Sequence, residues 1–316
     1  MPSTQAAVRL EALENEVRKA FVGGPEPVRL ILAGFIAALP VLIEDIPGVG
    51  KTTLARGLAR ASGMEFGRIQ FTPDLLPGDI TGMTVWSQEQ RDFIYKPGAV
   101  MHQFILADEI NRASARTQAA LLEALQENGV TVDGVTHPLP RPFFAVATQN
   151  PSSFAGTFQL PEAQVDRFGI SLRIGYPETE QEAAIVHMSW LTPPVDDLKA
   201  VLEPADVEEV RRETMAVRVD EKIVAYIVRI ASETRRTGLL KSGMSPRASQ
   251  HLTRAAQAAA LLDGRGYVMP EDVRGMAVDV LKHRLTPSAQ ARLGGGTAET
   301  VLVDLINAVP MPSGLA

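Results

Sequence analysis

The chain contains no cysteine among its 316 residues. That absence removes disulfide scaffolds, thiolate zinc, iron–sulfur clusters and thiol nucleophiles, and it suits a reducing compartment. Histidine is scarce. The five, at positions 102, 137, 187, 251 and 283, are scattered without the spacing of a metal-binding motif. There is no excess of positive charge either: 31 Lys and Arg face 37 Asp and Glu, for a net charge of −6. A protein that chiefly neutralises nucleic-acid phosphates or coats an anionic membrane needs the opposite balance. Long apolar runs are missing. The most apolar stretch, Leu30 to Ile43, is interrupted by Gly34 and Pro40 and falls short of the ~20 residues that a spanning helix requires. Met1 to Arg18 mixes Glu11, Glu14 and Glu16 with Arg9 and Arg18, so it lacks the basic head and apolar middle of a signal peptide. A cytoplasmic location without membrane insertion is expected.

What is present describes a soluble globular protein, with 45% apolar and 22% charged residues. Its length is about twice the ~150 residues usual for one domain. Leu10, Leu13, Val17 and Phe21 recur at helical spacing, so the chain begins with an amphipathic helix. Up to about Tyr176, short apolar strands alternate with helices. The strand candidates are Val41–Ile43, Gly67–Phe71, Phe104–Ala107, Phe143–Thr148 and Ile170–Ile174. This alternation predicts an α/β domain over 1–176, a mainly parallel sheet with helices on both faces. From Pro177 the periodicity is helical, as in Ile223, Ile227 and Ile230. Pro177, Pro193-Pro194, Pro204, Pro246 and Pro270 mark helix starts or connections, which predicts an all-helical domain over 177–316. Two hairpins are expected inside the first half. One spans Gly82 to Gly98 around a polar Ser87–Arg91 turn, and the other spans Val130–Thr136 with an Asp133-Gly134 turn.

The chemistry concentrates at strand ends. After Val41–Ile43 comes Glu44-Asp45-Ile46-Pro47-Gly48-Val49-Gly50-Lys51-Thr52-Thr53, followed by a helix. Gly48 and Gly50 let backbone N–H groups curl around a phosphate, and the helix N-terminus favours negative charge. Lys51 can reach β and γ phosphates, and the Thr52 hydroxyl can ligate Mg²⁺. Val49 and Thr53 complete the loop. The strict motif places glycine six residues before the lysine, where this chain has Asp45. A second strand, Phe104-Ile105-Leu106-Ala107, ends in Asp108-Glu109. In the same sheet as a phosphate loop, Asp108 would hold Mg²⁺ through water, and Glu109 would polarise the attacking water. A third strand runs into Thr148-Gln149-Asn150, which brings an amide out beside them. Open α/β sheets bind ligands at the carboxyl ends of their strands.

These strings, in this order, resemble the MoxR family of AAA+ ATPases. Glu44-Asp-Ile-Pro-Gly-Val-Gly-Lys-Thr, Gln70-Phe-Thr-Pro-Asp-Leu-Leu-Pro-Gly-Asp-Ile-Thr-Gly and Leu106-Ala-Asp-Glu-Ile-Asn-Arg carry the likeness. So do Ala147-Thr-Gln-Asn-Pro, Leu160-Pro-Glu-Ala-Gln-Val-Asp-Arg-Phe and Ser245-Pro-Arg-Ala. The family often shows aspartate in the slot of Asp45. The resemblance implies a P-loop AAA+ core followed by a helical lid, with ATP and Mg²⁺ as cofactors. It assigns a Walker A loop at Gly48–Thr52, a Walker B pair at Asp108-Glu109 and a first sensor at Asn150. It also implies a hairpin inserted in the second helix and an adenine-side strand at Val22-Gly23. Arg167 resembles an arginine finger entering the neighbouring subunit, and Arg247, in the first turn of a lid helix begun by Ser245-Pro246, resembles a second sensor. Arg112 and Arg116 are read as interface residues, and the pairs Arg211-Arg212 and Arg235-Arg236 as solvated helix faces.

The function expected is ATP hydrolysis in a homo-oligomeric ring, with six subunits the family's implied number, to remodel or assemble a partner protein. The resemblance points to partners with a von Willebrand factor A domain, and Trp86, Phe93 and Tyr95 on the inserted hairpin are the candidate contacts. Rival readings are a nucleic-acid motor, a magnesium-chelatase-like motor subunit and a scaffold switched by ATP without hydrolysis. The acidic charge and the sparsely basic hairpin, with Arg91 and Lys96 alone, argue against nucleic acid.

Overall fold

A computed structural model describes residues 4–150, 158–188 and 194–314. The chain opens with helix α1 (Thr4–Ala20), whose Leu10, Leu13 and Val17 are buried, and α2 (Pro25–Ile36), an almost wholly buried helix. Strand β1 (Val41–Glu44) leads through the glycine loop into α3 (Lys51–Ala61). Then come β2 (Phe66–Gln70), α4 (Pro77–Thr81), the hairpin β3 (Gly82–Ser87) and β4 (Asp92–Pro97), and β5 (Phe104–Asp108). Helix α5 (Ala115–Glu127) precedes the second hairpin, β6 (Gly129–Val132) and β7 (Val135–Pro138). Asp133 and Gly134 turn it at φ 50° and 81°, the left-handed conformation that tight hairpins demand. Strand β8 (Phe144–Gln149), the short α6 (Glu162–Val165) and β9 (Ile170–Leu172) complete the first half.

The five core strands form one parallel sheet in the order β2-β5-β8-β1-β9. Strand alternation serves two cores. Phe104, Leu106, Phe144, Val146, Val41 and Ile43 face one side with α1, α2 and α3. Ile105, Ala107, Leu42, Ala145 and Ala147 face the other, with α5. Burial on both faces explains why these strands read as continuous apolar runs. On the first face Phe144 packs edge-on against Phe35 and Phe104, each at 5.2 Å between ring centres.

The rest is helical: α7 (Thr179–Met188), α8 (Pro204–Ala216), α9 (Glu221–Arg236), α10 (Pro246–Leu262), α11 (Pro270–Leu281), α12 (Ala289–Leu293) and α13 (Ala298–Ala308). Pro204, Pro246 and Pro270 start α8, α10 and α11, where a missing N–H costs nothing. Pro193 lies outside the described residues. Alanine-rich α10 is the centre of this half and reaches α2, α8, α9 and α11. One apolar core therefore runs from the sheet through α2 into the helical half.

Three expectations are corrected. The helix that leads into the inserted hairpin is only the five-residue α4, and the hairpin returns directly to a loop that Asp79 and Ile80 hold by accepting from Ala99 and Val100, with no helix between it and β5. Val22-Gly23 is a bend between α1 and α2, not a strand, because Pro25 starts a new helix three residues later. Arg211 is buried rather than solvated: its Nε donates to the Phe35 carbonyl at the C-terminus of α2 (3.1 Å), and its guanidinium lies 5.4 Å from the Phe35 ring. A cation there complements the negative end of the helix. Burial lowers its pKa to about 10, which leaves it charged at neutral pH. Arg212, Arg235 and Arg236 are exposed, as expected.

Candidate functional site

The parallel arrangement brings the ends of β1, β5 and β8 to one edge, where an open cleft of about 330 Å³ lies between the glycine loop and these strand ends. Gly48 and Gly50 adopt φ of 86° and 91°, which side chains rarely tolerate, and Gly50 starts α3. Lys51 follows, 8% exposed. Its ammonium donates to the Asp45 carbonyl (2.6 Å) and to Asn150 Oδ1 (2.8 Å). Burial lowers its pKa, while Asp45, Asp108 and Glu109 pull it back up. Thr52 and Thr53 line the cleft on the first turn of α3, and Val49 sits between the two glycines.

Asn150 joins the loop to the second strand end. Its Nδ2 donates to Glu109 Oε1 (2.9 Å), so one amide bridges the cation and the carboxylate, and its own carbonyl accepts from Asn111 Nδ2 (2.9 Å). Glu109 has φ 56°, an uncommon conformation for a non-glycine residue, stabilised by its N–H bond to Thr148 Oγ1 (2.8 Å). Thr148 in turn donates to Asp108 Oδ1 (2.6 Å). Thus Lys51, Thr52, Asp108, Glu109 and Asn150 are brought together as expected from sequence.

Several participants escaped the sequence reading. Arg68 on β2 donates to Asp108 Oδ2 (2.6 Å), and Gln70 donates to Glu109 Oε2 (3.3 Å). The i, i+2 spacing of Arg68 and Gln70 places both on one strand face, but only the sheet order shows that β5 is the neighbour. Thr148, an ordinary strand residue by its sequence, ties Glu109 to Asp108 through its hydroxyl. Arg112 donates to Glu109 Oε2 within its own chain (2.9 Å), a partner that its reading as an interface residue did not include.

The remaining candidates lie elsewhere. Val22 and Gly23 do not line the cleft; the Phe21 ring stands between Gly23 and Gly50. Arg167 is half-buried and, among the described residues, makes no ion pair, not even with Asp166. Asp166 belongs instead to the seam between sheet and helical half. It accepts from Arg284 (3.1 Å) and Ser245 Oγ (3.0 Å), and it pairs with Arg247 at 3.8 Å. Ser245 also caps α10 by accepting from Ala248, so Arg247 does occupy the first turn of that helix. Arg284 is buried there and donates to the Phe168 carbonyl and to His251 Nδ1 (2.7 Å), with His283 Nε2 3.0 Å from the same carbonyl.

This edge-opening parallel sheet, glycine loop and helical lid define an AAA+ P-loop ATPase fold. The family model for the ATPase family associated with various cellular activities (AAA) matches residues 40–170, and an AAA lid domain model matches 232–304. The chain is 44% identical to the uncharacterised protein YeaC of Bacillus subtilis, over 96% of this chain and 94% of that one. It is 40% identical to Chaperone MoxR1 of Mycobacterium tuberculosis, over 96% and 82% respectively. A crystal structure of a proposed ATPase from Cytophaga hutchinsonii superposes with a TM-score of 0.91 at 34% identity, covering 99% of this chain and 97% of the other. The chain belongs to the MoxR family of AAA+ ATPases.

The seam generates a pH prediction. Burial, reinforced by Arg284, lowers the pKa of His251 to about 3 and that of His283 well below its ordinary value. Arg254 and Arg247 add to the effect at His251, and Lys282 at His283. The unfolded chain, with histidine pKa about 6.5, binds more protons than the folded one below that pH, so stability is present above it and declines on acidification. Between pH 7.0 and 5.5 two such histidines should cost about 2.5 kcal/mol of unfolding free energy. Urea titrations at both pH values test this, and His251→Gln should remove about half of the decline. An unchanged midpoint would show that neither imidazole is held neutral.

Proposed function

We propose that this MoxR-family protein binds and hydrolyses ATP and works as a homo-oligomeric ring that remodels or assembles a partner protein. The observation that carries the reading is the bridge from Lys51 through Asn150 to Glu109 across the glycine loop and two strand ends. In the proposed roles, Gly48 to Thr53 wrap the phosphates and Lys51 exchanges its present acceptors for β and γ oxygens. Glu109 orients the attacking water, and Asn150 keeps that carboxylate and the γ-phosphate in register. Thr52 and Asp108 offer hard oxygen donors on the same cleft, which fits Mg²⁺, an ion that retains waters and takes phosphate oxygens. Bound there, Mg²⁺ would neutralise phosphate charge.

For the ring, the supporting observation is Arg167, whose guanidinium has no ion-pair partner among the described residues and so is available to a neighbouring subunit. Arg247 would act as the lid's sensor after leaving Asp166. For the partner, support comes from the inserted hairpin. Trp86 and Phe93 form a cross-strand pair, 5.1 Å between ring centres, and are 53% and 66% exposed. Exposed aromatic anchors suit a transient interface. Tyr95 behaves differently: its hydroxyl donates to the Thr81 carbonyl (2.7 Å) and its ring stacks on His137 at 3.6 Å. Of the three candidate contacts, Trp86 and Phe93 are therefore the proposed anchors, and a von Willebrand factor A domain is the partner class taken from family likeness. The net charge of −6 favours a protein over a nucleic-acid substrate.

Lys51→Ala should abolish ATP binding, whereas Glu109→Gln should bind ATP with near wild-type affinity and turn it over at least 100-fold more slowly, since only water activation is lost. Calorimetry and a phosphate-release assay distinguish them, and equal affinity in the wild type and Lys51→Ala would sink the assignment of the loop.

Sharing of the site between subunits has its own test. Arginine fingers are worth roughly 10³–10⁵ in turnover, so Arg167→Ala should bind ATP and be nearly inactive. Mixing it with Lys51→Ala should restore activity at interfaces that combine an intact loop with an intact finger. No recovery in verified mixed oligomers would count against a finger acting across subunits.

The hairpin test separates anchors from packing. Trp86→Ala with Phe93→Ala should leave the melting temperature and basal ATPase near wild type and abolish stimulation by a partner. Tyr95→Ala should lower the melting temperature by several degrees. Surviving stimulation in the double variant would place the contact elsewhere.

A further inference from the structure

Asp45 occupies the position where the strict phosphate-loop motif has glycine, and its side chain is put to use. It is 8% exposed. Oδ2 accepts the backbone N–H groups of both Ile174 (2.6 Å) and Gly175 (2.7 Å), while Oδ1 accepts from Ile46 (2.8 Å). Hydrogen bonds to a charged acceptor are about twice as strong as neutral ones, and a buried N–H that loses its acceptor is costly. Ile174 and Gly175 come one residue after β9, past Arg173, where the chain leaves the sheet for α7 and the helical half. Gly175 has φ 74° in open space, so the backbone path itself requires glycine there. The same residue 45 faces the loop through its main chain: its carbonyl accepts from Lys51 Nζ (2.6 Å), and its N–H donates to the Gln149 carbonyl (3.2 Å).

We propose that Asp45 is a positioning residue that couples occupancy of the phosphate loop to the segment leading into the helical lid. The proposal rests on the nucleotide reading given above. When phosphates draw the Lys51 ammonium away, the carbonyl of residue 45 loses a bond, and the carboxylate on the same residue carries the adjustment to 174–175. With glycine in this slot, as in the strict motif, loop and segment would respond independently. Substituting the side chain leaves the carbonyl and the phosphate-wrapping backbone in place, so binding and coupling can be separated.

The test combines calorimetry with hydrogen exchange on the full chain, with the slowly hydrolysed analogue AMP-PNP as probe. Wild type should bind it and change exchange over 174–187. Asp45→Ala should bind within threefold of wild type and exchange the amides of Ile174 and Gly175 at least tenfold faster. It should also lose the response to nucleotide over 179–187. Asp45→Asn, which retains one acceptor oxygen, should restore part of that response, a rescue that general destabilisation would not give. If Asp45→Ala fails to fold, Asp45→Asn carries the comparison, with a weakened response expected. A full wild-type response in the folded variant overturns the proposal, as does an affinity loss beyond threefold, which would confine Asp45 to shaping the loop. Absence of AMP-PNP binding by wild type would overturn the nucleotide reading itself.

Discussion

Lys51 holds its ammonium where burial works against charge, and the structure answers with a carbonyl, an amide oxygen and three nearby carboxylates. None of those groups belongs to the helix that carries the lysine. They arrive at the carboxyl ends of three parallel strands, so the cation is stabilised only when β1, β5 and β8 are all in register. The sheet in turn needs both apolar faces covered, by α1 to α3 on one side and α5 on the other. Local charge and global fold therefore depend on one another. Removing the lysine would leave Asp108, Glu109 and Asp45 close together with less to balance them, as well as altering ligand binding.

The same logic governs the seam between the two halves. Asp166 is shared by Arg284, Ser245 and Arg247, groups that come from the helical half, while Asp166 belongs to the segment leading into β9. His251 and His283, whose pKa values burial lowers, lie against Arg284. Asp45 makes a second polar tie, to the segment just past the same strand. The short strand β9, flanked by both ties, is thus the mechanical border between sheet and lid.

Much of this was legible in the sequence because the strongest signals are local. Short apolar runs revealed four of the five core strands, alternation around Ile69 revealed β2, and Ser245-Pro246 announced a helix start. The gathering of Asp108, Glu109 and Asn150 around Lys51 followed from placing those three at strand ends beside the glycine loop. What was not legible depends on which strands are neighbours. Arg68 and Gln70 matter because β2 lies beside β5, a fact of topology and not of composition. Arg211 looks like a surface arginine in a charged helix, and only the packing of α8 against α2 reveals it as a cap. Val22-Gly23 was expected as a strand from family likeness alone, and it lies between two helices too close together to leave room for one.

The stacking of Tyr95 on His137 joins the two hairpins of the first half. A two-stranded hairpin in water is barely stable alone. Face-to-face contact at 3.6 Å with an interplanar angle of 10° makes each the buttress of the other. Force applied at the exposed Trp86–Phe93 tip would then be borne by a pair of braced arms. The stiffness of that lever would be set by one flat contact between a phenol and an imidazole.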